Sequence, residues 1–183
     1  MTTDSPSQPA PRSRHPAAAS AAWAALSQLQ VAANRTQLEP RLLELARMRA
    51  SQINRCAFCL ELHARTATAH GESPERLHLL PAWEEVALYS PRERAALRWT
   101  EALTRLPDAG VPDEVFAAAS AQFSGQELLE LTLAVIAINS WNRVNVAFRV
   151  APDPQYWPGG TPRNGSDLPE SMAARTAAPA VST

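Results

Sequence analysis

Residues 55–64, RCAFCLELHA, hold both cysteines of a 183-residue chain and one of its four histidines. Cys56 and Cys59 stand three residues apart, and His63 follows four residues later. Side chains at such spacings share one face of a helix, so a helix here lines two thiols and an imidazole along one stripe near its start. The partial positive charge of a helix N-terminus favours a thiolate, as does a nearby imidazolium. Thiolate is the nucleophilic form of cysteine. Two thiols in a first turn can also bond to each other and cycle between dithiol and disulfide. A peroxide oxidises one sulfur to a sulfenic acid, and the second condenses with it and expels water. An external thiol then restores the pair by exchange.

Such chemistry needs a proton donor and acceptor. His63, with an ordinary pKa of ~6.5, supplies part of this. A carboxylate beside it would orient the ring and complete a relay. Glu61 points to another face of the helix. Glu44 is the better candidate, because it sits among the apolar residues of LLELARMRA. If its helix packs beside the cysteine helix, its carboxyl reaches the stripe; the alternative is a solvated helix carboxylate. Helix-end electrostatics favours Cys56 as the more acidic thiol and the adjacent histidine favours Cys59. The histidine decides the assignment, since it can also supply the leaving group's proton.

Other readings of the same residues stay open. Cys56, Cys59, His63 and Glu44 are zinc-ligand types, but structural zinc usually takes a knuckle loop and a second ligand pair, and neither is visible. The thiols could also be inert core residues, and His63 an ordinary buried histidine. His15, His70 and His78 show no partner pattern. Trp99, Trp141, Asn142, Arg143 and Asn145 read mainly as packing and subunit-contact residues, with shaping of the pocket as the lesser reading. Phe58 reads as a pocket wall or a core residue.

The elements that must position these groups are helices. Alanine, leucine, glutamate and arginine dominate the middle of the chain, which is helix-forming composition. No run alternates with the period of a strand. The pattern predicts an all-α bundle of six or seven helices over residues 16–33, 39–53, 56–70, a short helix from Ser73-Pro74, then 91–105, 112–122 and 124–148. Ser90 with Glu93, and Ser124 with Glu127, read as capping boxes. The last helix is nearly apolar on all sides, which predicts burial in a core or between subunits. Residues 1–15 and 151–183 are rich in proline, and the second stretch also in glycine; they read as tails around one domain at 16–150. Tyr156 and Trp157 are candidate anchors on a neighbouring subunit.

Composition narrows the function. A formal net charge of −1 gives no field to draw nucleic acid or an anionic membrane. No window reaches the ~20 apolar residues of a membrane span. Arg12 and Arg14 before AAASAAWAAL imitate a signal peptide only loosely, so the expectation is a cytoplasmic protein. In that compartment a paired CxxC is more often catalytic or metal-binding than structural.

Glu44, eleven residues, Cys56-Ala57-Phe58-Cys59, three residues and His63 together resemble the motif of AhpD-like alkylhydroperoxidases, within the carboxymuconolactone decarboxylase superfamily. The stretches LLELARMRASQINRCAFCLELHARTATAHGE, ERAALRWTEALTRLP and LTLAVIAINSWNRVNVAFR resemble its single-domain members. The resemblance implies an AhpD-like helical fold, with Cys59 attacking the peroxide and Cys56 resolving it. It implies that Glu44 and His63 carry protons through a water. It further implies a small-molecule hydroperoxide as substrate, an external thiol or dithiol as reductant, and no cofactor. Members usually form trimers or hexamers with sites near subunit contacts. One departure is Phe58, where well-studied hydroperoxidases carry a second histidine; a shorter relay implies weaker peroxidase activity or another substrate. Thiol–disulfide exchange or redox sensing is the alternative. The lactone decarboxylases of the superfamily lack the cysteine pair, so the chain does not resemble those.

Overall fold

Serine and proline set most helix starts, and left-handed residues set several ends. The computed structural model describes residues 21–152. Helix α1 spans Ala21–Ala32, α2 Pro40–Ile53, α3 Ala57–Ala69, α4 Pro74–Leu79, α5 Pro91–Arg105, α6 Asp113–Ser120 and α7 Gly125–Phe148. That makes seven α-helices and no strand among the described residues. Pro40, Pro74 and Pro91 occupy first turns, where a missing N–H breaks no helical bond. Both expected capping boxes form: Ser90 with Glu93 opens α5, and Ser124 with Glu127 opens α7. Leu106 ends α5 in the left-handed region one residue before Pro107.

The sequence reading stopped at one short helix after Ser73. The chain in fact continues from α4 as a 3-10 segment, Leu80–Glu85, with Pro81 in its first turn and Trp83 buried. Trp83 donates from Nε1 to Glu101 at 2.8 Å. The expected N-terminal tail, the expected helical residues 16–20, and Tyr156 and Trp157 with the C-terminal stretch from 153 lie outside the described residues.

Helix α2 is the centre of the bundle. It packs against α3, α5 and α7. Leu42, Leu43 and Ala46 join Ala96, Trp99, Leu131 and Val135 in one apolar cluster. Leu45 and Met48 join Leu80, Trp83 and Leu97 in another. A helix covered on so many sides leaves little solvent for its polar residues, and Glu44 and Arg47 are buried with the leucines. Helix α7 turns Leu128, Leu131, Val135 and Ile138 inward but leaves Leu129, Leu133 and Ile136 exposed by 52%, 38% and 45%.

Candidate active site

The corner between α2 and α3 carries the sulfurs. Asn54 ends α2, and Arg55 turns the chain with φ at +56°. The Cys56 N–H then reaches back to the Ser51 carbonyl at 3.0 Å, a bond that closes a helix through a left-handed residue. Cys56 therefore lies outside the helical segment, at the N-cap of α3 in extended backbone, and its Sγ accepts from the Cys59 N–H at 3.3 Å. This refines the sequence expectation that both cysteines lie within one helix. The side chain of Asn54 donates to Asn139 and Asn142 of α7, at 2.8 and 2.9 Å. Asn142 donates in turn to Ser51 at 3.1 Å. These bonds pin the corner to α7.

Cys56 and Cys59 form a disulfide, with Cα atoms 5.3 Å apart. Both residues are only 2% exposed, and they pack with Ala50, Phe58 and Ile138. Phe58 thus belongs to the apolar wall around the sulfurs.

Packing of α2 on α3 brings Glu44 to His63 across 19 residues, with Oε2 to Nδ1 at 2.7 Å. An ionised carboxylate only accepts, so Nδ1 carries the proton in this pair. That makes Nε2 the ring nitrogen whose protonation can change. The other oxygen of Glu44 accepts from Arg47 Nη1 at 2.6 Å. Arg47 donates further to Asn34 at 2.6 Å and to the Ala33 carbonyl at 3.3 Å, and Asn34 also accepts from Gln30 at 2.8 Å. Burial pushes the Glu44 carboxyl up, but the His63 ring and the Arg47 guanidinium outweigh it and hold the pKa down to about 2. The carboxylate is therefore charged at neutral pH and fixes the ring behind it.

A second contact reaches the sulfurs from α7. The buried Asn145 side chain donates from Nδ2 to Cys59 Sγ at 3.3 Å. The sequence reading set Asn145 mainly among packing and subunit-contact residues; the structure puts it on a sulfur. Its spacing from Asn142, three residues back on a buried helix face, was the signal available. Trp99 donates to Thr132, and Trp141 meets Trp23 edge-on at 5.0 Å. His70 and His78 are exposed, and His15 lies outside the described residues. The zinc-type set is otherwise engaged: the sulfurs bond to each other, and both oxygens of Glu44 meet Arg47 and His63. Among the described residues no group of three or more His, Cys, Asp or Glu is placed to hold a metal.

The carboxymuconolactone decarboxylase family model matches residues 17–102, a span that ends before α7. Uncharacterized protein YdfG of Bacillus subtilis is 40% identical over 104 residues, covering 57% of this chain and 71% of that protein. The chain belongs to the carboxymuconolactone decarboxylase family. Uncharacterized protein YnjA of Escherichia coli is 29% identical over 116 residues, 63% of this chain and 63% of that protein. The crystal structure of ATU0492 from Agrobacterium tumefaciens, a protein of unknown function offered as a candidate antioxidant defence protein AhpD, superposes with a TM-score of 0.75. It is 35% identical, over 79% of this chain and 99% of that one. The expected AhpD-like helical fold is therefore the fold observed. The debrominase Bmp8 shares that fold at 18% identity, with a TM-score of 0.64 over 72% of this chain and 70% of its own.

Proposed function

We propose that this family member is a thiol-dependent peroxidase that reduces hydrogen peroxide or an organic hydroperoxide. The observation that carries the reading is the Cys56–Cys59 disulfide at the start of α3, with the buried Glu44–His63 pair one turn beyond Cys59. In the reduced protein the Cys59 thiolate attacks the terminal oxygen of the hydroperoxide. An S–O bond forms, the O–O bond breaks, and the alkoxide takes a proton relayed from His63. Cys56 then attacks the sulfenic sulfur, the S–S bond forms, and hydroxide leaves as water with the proton that Cys56 gives up. One equivalent of an external dithiol returns two electrons and two protons and resets the pair. Glu44 holds the His63 ring, which takes the proton that the Cys59 thiol loses and passes it to the alkoxide. A reducing compartment such as the cytoplasm suits this cycle.

The test is hydroperoxide consumption with a dithiol reductant. Cys59→Ser abolishes turnover. Cys56→Ser reacts once and stops at a sulfenic acid that mass spectrometry detects as one added oxygen. Unchanged turnover in Cys59→Ser overturns the assignment of the nucleophile.

Phe58, buried against the pair, favours a second reading: thiol–disulfide exchange with little peroxidase activity. Comparing peroxide with protein disulfides as oxidants of the reduced pair separates the two. Rapid oxidation by peroxide alone removes the second. The exposed leucines and isoleucine of α7 support a third element of the proposal, assembly as a homo-oligomer, a trimer or hexamer.

A further inference from the structure

We propose that Asn145 is a catalytic residue that selects Cys59 as the reactive sulfur by donating a hydrogen bond to its thiolate; this rests on the thiol chemistry proposed above. The amide nitrogen lies 3.3 Å from Cys59 Sγ, and Asn145 is 7% exposed. A disulfide sulfur has no hydrogen to offer, so the amide N–H, and not its carbonyl, fits against it. The bond is weak in the disulfide. It strengthens when Cys59 carries negative charge, because charge-assisted bonds are roughly twice as strong. A contact that strengthens in the reactive state lowers the energy of that state selectively.

This resolves a competition that helix electrostatics leaves against Cys59. The N–H at the start of α3, that of Cys59 itself, points to Cys56 Sγ. Helix capping therefore favours Cys56. Asn145 comes from a different helix, 86 residues away in sequence, and delivers a donor to the other sulfur. The corner bonds from Asn54 to Asn139 and Asn142 hold α7 and the sulfurs in register, so the donor arrives preorganised. Arg143, two residues before Asn145 on α7, is exposed and turns to the oxygens of Asn139.

The experiment is the pH dependence of alkylation of Cys59 in a Cys56→Ser background, where serine keeps a good N-cap. Asn145→Leu and Asn145→Asp are compared with that parent. His63, Glu44 and Arg47, on the elements packed about Cys59, are kept throughout, so their fields are common to all three proteins. The expected result is a rise in the alkylation midpoint of about one pH unit in the leucine variant. The aspartate variant rises at least as far, because it replaces a donor with an acceptor of equal size. With both cysteines present, Asn145→Leu also makes the disulfide harder to reduce, by about 30 mV for a tenfold change. Midpoints within ~0.3 of the parent in both variants, with helical content intact, overturn the proposal. If the leucine variant does not fold, the aspartate variant decides alone. Alkylation needs no peroxide, so a chain that shows the shift but consumes no hydroperoxide keeps this inference and loses the peroxidase reading.

Discussion

Glu44 is a carboxylate held in a core, and its neighbours make that tolerable. Arg47 and His63 occupy its two oxygens, at 2.6 and 2.7 Å. Removing one partner of a buried charge set costs about 3–5 kcal/mol, because the remaining charge is left uncompensated. Glu44→Gln is expected to lose stability on that scale at pH 7, read by urea unfolding, together with most peroxide turnover. The pH dependence follows from the sign of the shift. The folded carboxyl sits at about 2, below its unfolded value of ~4.3. Its stabilisation is therefore full above about pH 5 and fades as pH falls toward 2. The gap between parent and Glu44→Gln should narrow over that window, and a gap independent of pH would contradict the charged pair. Cys56, Cys59 and His63 were legible in the sequence from their three- and four-residue spacing, and Glu44 from its apolar neighbours and the motif the chain resembles. Arg47 was not, since an arginine three residues after a glutamate reads equally well as a surface pair. Asn145 was legible only as a face of α7, because its partner depends on how two distant helices pack.

At the scale of elements, the α2–α3 corner does the positioning. Arg55 holds a left-handed conformation where glycine is usual, and no local pattern announces that. Asn54 compensates by tying the corner to Asn139 and Asn142. Asn54→Ala removes the donor to the buried Asn142 oxygen, while the Asn139 oxygen keeps Arg143, which should cost about 1–3 kcal/mol in chemical unfolding. It should also narrow the reactivity difference between Cys56 and Cys59, seen as mixed alkylation products in the reduced protein. A variant as stable and selective as the parent would rule out the tie. Most helix boundaries were readable because serine, proline and glutamate act locally. The 3-10 segment at 80–85 was not, since it is fixed by burial of Trp83 against α5 and not by its own pattern.

For the molecule as a whole, α7 shows why an apolar helix does not by itself reveal its neighbours. The sequence predicted burial in a core or between subunits; a single chain covers the inner side and leaves Leu129, Leu133 and Ile136 exposed along one stripe, the kind of surface that marks protein contacts. Light scattering should give three or six times the 19.8 kDa of one chain, and Leu133→Lys should shift it toward one chain. A parent that stays monomeric at high concentration would dismiss the oligomer. The two sulfurs have their own consequence at this scale. Cys56 and Cys59 are almost wholly covered within a single chain, with Phe58 packed against them, so a reagent must displace part of that cover to reach them. Such a site sorts its visitors by bulk. On the proposed cycle, hydrogen peroxide and a slender dithiol should therefore react with the pair faster than the active thiol of a large protein.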